Sequence, residues 1–380
     1  MMMTTANLNS LKEKLIVTIQ EHGPLSISQF ITFCLADPQY GYYKTADPFG
    51  RDGDFITAPE VSQMFGEMLG VWVVLSWRAM GEPADFSLCE MGPGRGTLMD
   101  DVLRTIKKLD LNCFNAAKVF LIETSPKLRE KQKQRLASHN SNITWIDHFS
   151  LLPAMPVILL ANELFDCLPI YQYFFDGQNW RERMVGVSPD SKNEMALIFG
   201  LGSIISPPAL PYALPIIKEG DIIEVSPARE SLMDEIASHI VQYRGAALII
   251  DYGAIEPKPA DTLQAMSKHQ FSDPLASPGK DDLTSHVDFA ALNQRAQLMH
   301  CQTYMTTQGE FLLSLGLIER AQTLGQGRDS LFQEKIRNDV ERLAGDDKIS
   351  GKIGGKMGGL FKVLCVSDKN TPIIPFDQQF

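Results

Sequence analysis

The chain has six cysteines, Cys34, Cys89, Cys113, Cys167, Cys301 and Cys365, and no Cys-x-x-Cys pair among them. Zinc ribbons and disulfide scaffolds need closely spaced thiols, so neither is expected, and isolated thiols in apolar stretches fit a reducing compartment. No apolar run approaches the ~20 residues of a membrane-spanning helix. Arginine is missing before Arg51, which argues against an Arg-rich transit peptide, and MMMTTANLNSLKEKLIVTIQEHG has no secretory apolar core. The expectation is a soluble cytoplasmic protein. Positive charge is also short. Against 46 Asp+Glu there are 35 Lys+Arg, a net charge of −11, so the chain lacks the cationic field of a general nucleic-acid binder. No Gly-Lys-Ser/Thr occurs, which excludes the Walker A loop. No His/Cys cluster has ligand spacing, so no metal is expected.

What is present suits a large core: 380 residues, 44% hydrophobic and 21% charged. The spacing of Leu8, Leu11, Leu15, Ile16 and Ile19 predicts a helix over 8–22, and Ser26 caps a second one. Residues 39–59 are rich in Gly, Asp, Tyr and Phe and read as a long functional loop; the stretch from Gly41 to Pro59 is expected to act as a lid. A helix is predicted over 59–80, with Pro59 in its first turn. From Asp85 strands and helices alternate: strands over 86–90, 118–123, 143–146 and 156–161, helices over 97–109 and 126–139. Such continuous apolar runs are buried parallel strands, and the alternation gives a doubly wound α/β sheet.

The alternation then breaks. A hairpin turns at Asp176-Gly177, a Pro-rich linker covers 203–215, and a strand (221–225), a helix (228–243) and a fifth core strand (246–251) follow. Residues 254–285 read as an active-site loop, 287–299, 308–317 and 329–343 as helices, and 360–367 as the last strand. The domain plan is N-terminal helices and a covering loop over 1–80, then a core over 81–380 with an insertion near 171–220.

The strongest local signal is Glu90-Met91-Gly92-Pro93-Gly94-Arg95-Gly96, between a strand and a helix. Glycines there allow sharp turning and close approach to a ligand. One strand later Glu123 stands where a carboxylate takes a ribose diol. The spacing is G-x-G-x-G, not the dinucleotide G-x-G-x-x-G, and Glu90 would repel a diphosphate. S-adenosylmethionine (SAM), with its ammonium and sulfonium, suits this loop better than NAD, which stays as an alternative. Asp147, after the third strand, is a candidate for the adenine amino group. After the fourth strand come Asn162-Glu163-Leu164-Phe165-Asp166; Glu163 and Asp166 could clamp a guanidinium or act as a base. Asp251, ending the fifth strand, and His286, before a helix, are further candidates for proton removal.

These residues make the chain similar to the MidA-like family of SAM-dependent methyltransferases. The resemblance runs nearly end to end: Tyr40-Gly41-Tyr42-Tyr43, Gly53-Asp54-Phe55-Ile56-Thr57-Ala58-Pro59-Glu60, Gly92-Pro93-Gly94-Arg95-Gly96, Glu123-Thr124-Ser125-Pro126, Asn162-Glu163-Leu164-Phe165-Asp166, Asp251-Tyr252-Gly253 and His286-Val287-Asp288-Phe289 carry it. It implies a Rossmann-like class I methyltransferase core with an N-terminal helical segment and β-rich insertions. The Gly53 to Thr57 segment would fold over SAM, and Thr57, Glu90, Gly92, Gly94, Gly96, Glu123, Asp147 and Asn162 would form the cofactor site. Mitochondrial members are complex I assembly arginine methyltransferases, which implies a protein acceptor with a basic segment, a respiratory-complex subunit among the candidates. The other reading is a SAM-binding assembly factor without turnover.

Overall fold

The computed structural model describes residues 9–45, 57–139, 143–189, 194–206, 210, 216–256, 258–267, 270–346 and 356–376. The chain forms two compact units, one from Met1–Phe55, Asp166–Ser231 and Glu256–His286, the other from Ile56–Phe165, Leu232–Ile255 and Val287–Phe380.

The second unit holds the doubly wound sheet. Its strands are β1 (Phe86–Met91), β2 (Ala117–Ile122), β3 (Ile143–Ile146), β4 (Val157–Asn162), β5 (Gly245–Ala254), β6 (Val287–Asp288), β7 (Gln302–Thr307) and β8 (Phe361–Ser367). The order is β7-β8-β5-β4-β1-β2-β3, with β6 pairing β5. From β5 to β3 all pairs are parallel, while β8 runs antiparallel to both β5 and β7. Central strands read as unbroken apolar runs because both faces are covered: every residue of β1 is buried. Helices Gln63–Ala79 and Thr97–Leu109 supply one cover, through Trp72, Trp77, Leu98, Val102 and Ile106 in the same apolar cluster as Leu88, Val119 and Leu160.

Three expectations for this unit change. The helix expected over 59–80 is two, Ala58–Val61 and Gln63–Ala79, because Ser62 adopts an extended conformation and its hydroxyl accepts the Met64 N–H. The segment expected to be helical from Val287 begins as β6, pairing Gly253–Ala254, before helix Phe289–Leu298. The helix expected over 308–317 ends at Ser314, and Gly316 starts another, Leu317–Gly325.

The first unit carries helices Leu11–His22 and Ile27–Ala36; Ser26 and Gln29 form a reciprocal capping box on the second. The hairpin is present as Tyr171–Phe175 and Trp180–Pro189, and the strand continuing it, Met195–Ile205, takes the beginning of the expected linker. Ile222–Val225 closes this sheet against Tyr171–Phe175. The stretch 254–285, expected as a loop, contains a three-stranded sheet of Gln264–Ser267, Gln270–Ser272 and Asp282–Thr284. Most of the expected lid, with Phe49, Asp52 and Phe55, lies outside the described residues, as does most of the Gly53–Thr57 segment.

Candidate cofactor and methyl-transfer site

Register alone gathers the candidates of the sheet unit. Met91 is level with Ile122 on β2 and with Ala161 on β4; Ile122 is level with Ile146, and Asn162 with Ile250. The next residues, Gly92, Glu123, Asp147 and Glu163, therefore follow the carboxyl ends of neighbouring strands along one edge, while Asp251, expected to end its strand, lies inside β5, which continues to Ala254. The strand order reverses beside β1, and open α/β sheets bind ligands at such a switch point.

The loop after β1 takes left-handed backbone, with φ of 66° at Gly92 and 76° at Gly96. A Cβ at Gly92 would meet Leu164 Cδ1 at 2.9 Å. Gly96 is also the N-cap residue of helix Thr97–Leu109. Glu90 is 3% exposed, and its Oε2 has no hydrogen-bond partner among the described residues. Burial pushes its carboxyl up to about 8, against the pull of the Met99 amide.

Glu123 is also buried. Its Oε1 accepts the Ser125 N–H at 2.7 Å and its Oε2 the Gln132 amide at 3.3 Å. Burial raises its carboxyl, and the Ser125, Gln132 and Thr124 donors oppose the rise. The same Gln132 Nε2 donates to Gly94 O at 2.8 Å. Asp147 is largely exposed and accepts from Arg129 Nη2 at 2.7 Å, while Arg129 Nε holds Glu123 O at 2.6 Å.

Glu163 has φ of 52°, rare for a residue with a Cβ and a marker of functional sites. It is held from several sides. Its N–H donates to Ile250 O at 2.9 Å, and its Oε1 accepts Asn162 Nδ2 at 3.1 Å and the Ala58 N–H at 3.2 Å. Asn162 Oδ1 is a second buried oxygen without a partner among the described residues. Thr57 caps the short helix Ala58–Val61, its carbonyl accepting from Glu60 and Val61. Asp251 is fully buried; its Oδ2 accepts the Phe165 N–H and its Oδ1 the Tyr252 N–H, both at 2.9 Å. That carboxylate fixes the turn that presents Glu163.

Asp166 and His286 belong to the other unit. There the buried Arg229, which sequence reasoning passed over, donates to Asp166 O, Ser285 O and Oγ, and His286 O at 2.7–3.2 Å. His286 is exposed, and its N–H donates to Thr262 Oγ1 at 2.9 Å. Asp166 is buried and is among the charges that raise the Tyr43 phenol, after burial itself and Asp282.

The donor set fits SAM. Two buried oxygens without a partner among the described residues, on Glu90 and Asn162, and two carboxylates, Glu123 and Glu163, are acceptors for an ammonium and a ribose diol, and the carboxylates would repel a diphosphate. All six cysteines are free. No described group of three His, Cys, Asp or Glu could hold a metal, and no described helix is long and apolar enough to cross a membrane.

The comparisons point to the same cofactor. The family model for S-adenosyl-L-methionine-dependent methyltransferases matches residues 68–307. The protein arginine methyltransferase NDUFAF7 of Xenopus tropicalis is 33% identical, covering 98% of this chain and 89% of its own. Its human counterpart, also mitochondrial, is 33% identical over 82% of this chain and 74% of its own. A Burkholderia thailandensis protein crystallised with S-adenosyl-homocysteine superposes with a TM-score of 0.78 at 25% identity, covering 95% of this chain and 92% of that one. The chain belongs to this family of SAM-dependent methyltransferases. It is an enzyme whose methyl donor is SAM, which sets aside both the NAD reading and the factor without turnover.

Proposed function

We propose that the chain is a protein arginine N-methyltransferase whose acceptor side chain is held by Glu163. The observation that carries this is the Glu163 carboxylate, fixed in left-handed backbone at the carboxyl end of β4 by Asn162, Ala58 and Ile250. The names of the arginine methyltransferase relatives support the same acceptor. Bound SAM would supply the methyl group on a cationic sulfur that leaves readily. In this reading the Gly92–Gly96 loop and Glu123 seat it, Glu90 and Asn162 accept from its ammonium, and Asp147 lies at the adenine end. Glu163 then pairs with the guanidinium, turns one nitrogen toward the methyl group and takes the proton that nitrogen loses. Asp251 holds the turn beneath Glu163. Asp166 and His286 stay with the other unit, and we assign the acceptor contact to Glu163 alone. The net charge of −11 favours a basic protein segment as acceptor. Six free thiols fit a reducing compartment such as the cytoplasm.

The test is incubation with methyl-labelled SAM and lysate from cells lacking the gene, followed by mass spectrometry of labelled proteins. Methylarginine in a discrete protein is expected. Label confined to lysine, to carboxyl groups or to small molecules would overturn the arginine assignment while leaving the methyltransferase intact.

A further inference from the structure

We propose that Gln132 is a positioning residue for cofactor binding, whose single side-chain amide fixes the Glu123 carboxylate and the Gly94 carbonyl in one geometry. The proposal rests on the reading that Glu123 takes the ribose. Gln132 lies in helix Pro126–Leu136 and is fully buried. Its Nε2 donates to Gly94 O at 2.8 Å and to Glu123 Oε2 at 3.3 Å, while its Oε1 accepts the Trp145 indole N–H at 2.8 Å.

The indole N–H can only donate, so it must face the amide oxygen. Turning the amide over would set that oxygen against two acceptors and the NH2 group against a donor. Trp145 thus locks Gln132, and Gln132 in turn ties the end of β2 to the glycine loop. A Cβ at Gly96 would lie 3.4 Å from Gln132 Cγ, so the stem packs on the loop as well.

The amide also acts on charge. Burial favours the neutral Glu123 acid, and the Gln132 donor favours the carboxylate. A carboxylate is the stronger acceptor for a diol. Removing the donor raises the pH at which Glu123 becomes an effective ribose acceptor. A side chain that merely filled space would leave that pH unchanged.

The test is calorimetry of S-adenosyl-homocysteine binding to the full chain from about pH 5.5 to about 8.5. The proteins are wild type, Gln132→Leu, Trp145→Phe, Glu123→Ala and the Glu123→Ala/Gln132→Leu double variant. Gln132→Leu should weaken binding about tenfold near pH 7, and its loss of affinity on acidification should begin at higher pH than in wild type. The double variant should be little weaker than Glu123→Ala alone, because both changes remove one network. If Glu123→Ala binds like wild type, the ribose reading fails and the proposal falls with it. If Glu123→Ala weakens binding while Gln132→Leu does not, or if the two losses simply add, the Gln132 proposal fails alone. Should Gln132→Leu not fold, Trp145→Phe carries the test: a few-fold loss with the same pH displacement supports the proposal, and wild-type behaviour at every pH overturns it.

Discussion

Replacing Glu163 with glutamine separates methyl transfer from cofactor binding. Glutamine keeps the carbonyl that Oε1 offers to Ala58 and Asn162, at 3.2 and 3.1 Å. The left-handed φ of 52° is no more costly for Gln than for Glu. Two hydrogen bonds to a charged acceptor become neutral ones, at about 1 kcal/mol each, so the fold should lose about 1–2 kcal/mol and survive. The glycine loop and Glu123 are untouched, and S-adenosyl-homocysteine should bind within about threefold of wild type. Transfer is different, because a cationic acceptor loses its counter-charge at the reacting centre. Losing one such stabilising group costs about 10²–10³ in rate. The assay is transfer of labelled methyl groups to a protein acceptor, run beside calorimetry and thermal unfolding. Transfer within a few-fold of wild type would refute the role. An equal fall in cofactor affinity would also refute it, by moving Glu163 from the acceptor to the cofactor.

Two other outcomes follow from buried carboxyls. Glu90 titrates near 8 when folded, so the folded chain keeps a proton that the unfolded chain gives up; ligand-free stability should fall as pH rises from about 4.5 to about 8 and then level off. Glu90→Gln should flatten that slope and raise the unfolding temperature at about pH 8 by a few degrees, and an unchanged slope in thermal scans would refute the assignment. Asp251→Ala strands the Phe165 and Tyr252 N–H groups in the interior. It should cost about 2–5 kcal/mol in urea unfolding, with Asp251→Asn in between, and a loss below about 1 kcal/mol would show that the turn does not need it.

The sheet was legible because PVILLA and AALIID are apolar runs too short for helices and too continuous for half-exposed strands. The glycine loop and Glu123 were legible because sharp turns and strand-end acids leave marks in composition. β7 was not: QTYMTT has no buried-strand pattern, since it lies at the sheet edge with β8 as its single strand partner among the described residues. Glu163 was readable as a carboxylate after a strand, but nothing in Asn-Glu-Leu-Phe-Asp announces a positive φ, which tertiary hydrogen bonds impose. Gln132 did leave a trace. It falls in step with Leu128 and Leu136 on the buried side of a helix otherwise crowded with Lys and Arg, and an amide on that stripe must find partners inside. Arg229 is harder to foresee, because the carbonyls it gathers come from segments more than 50 residues away in sequence.

The place of β8 has a consequence for how the chain is made. The last described strand is inserted between β5 and β7, pairing all of 246–252 on one side and 302–307 on the other. As the polypeptide leaves the ribosome, β5 emerges with one flank open and β7 with nothing in the sheet to hold it, and both wait until residue 367 has appeared. Seven consecutive residues of β5, Ala246–Tyr252, are meanwhile an unpaired apolar edge, the kind that recruits another chain. Emergence of 361–367 is therefore the step that closes this side of the sheet. A stop codon ahead of Phe361 should yield a protein that aggregates through β5, even though every residue of the glycine loop, Glu123 and Glu163 has already been synthesised.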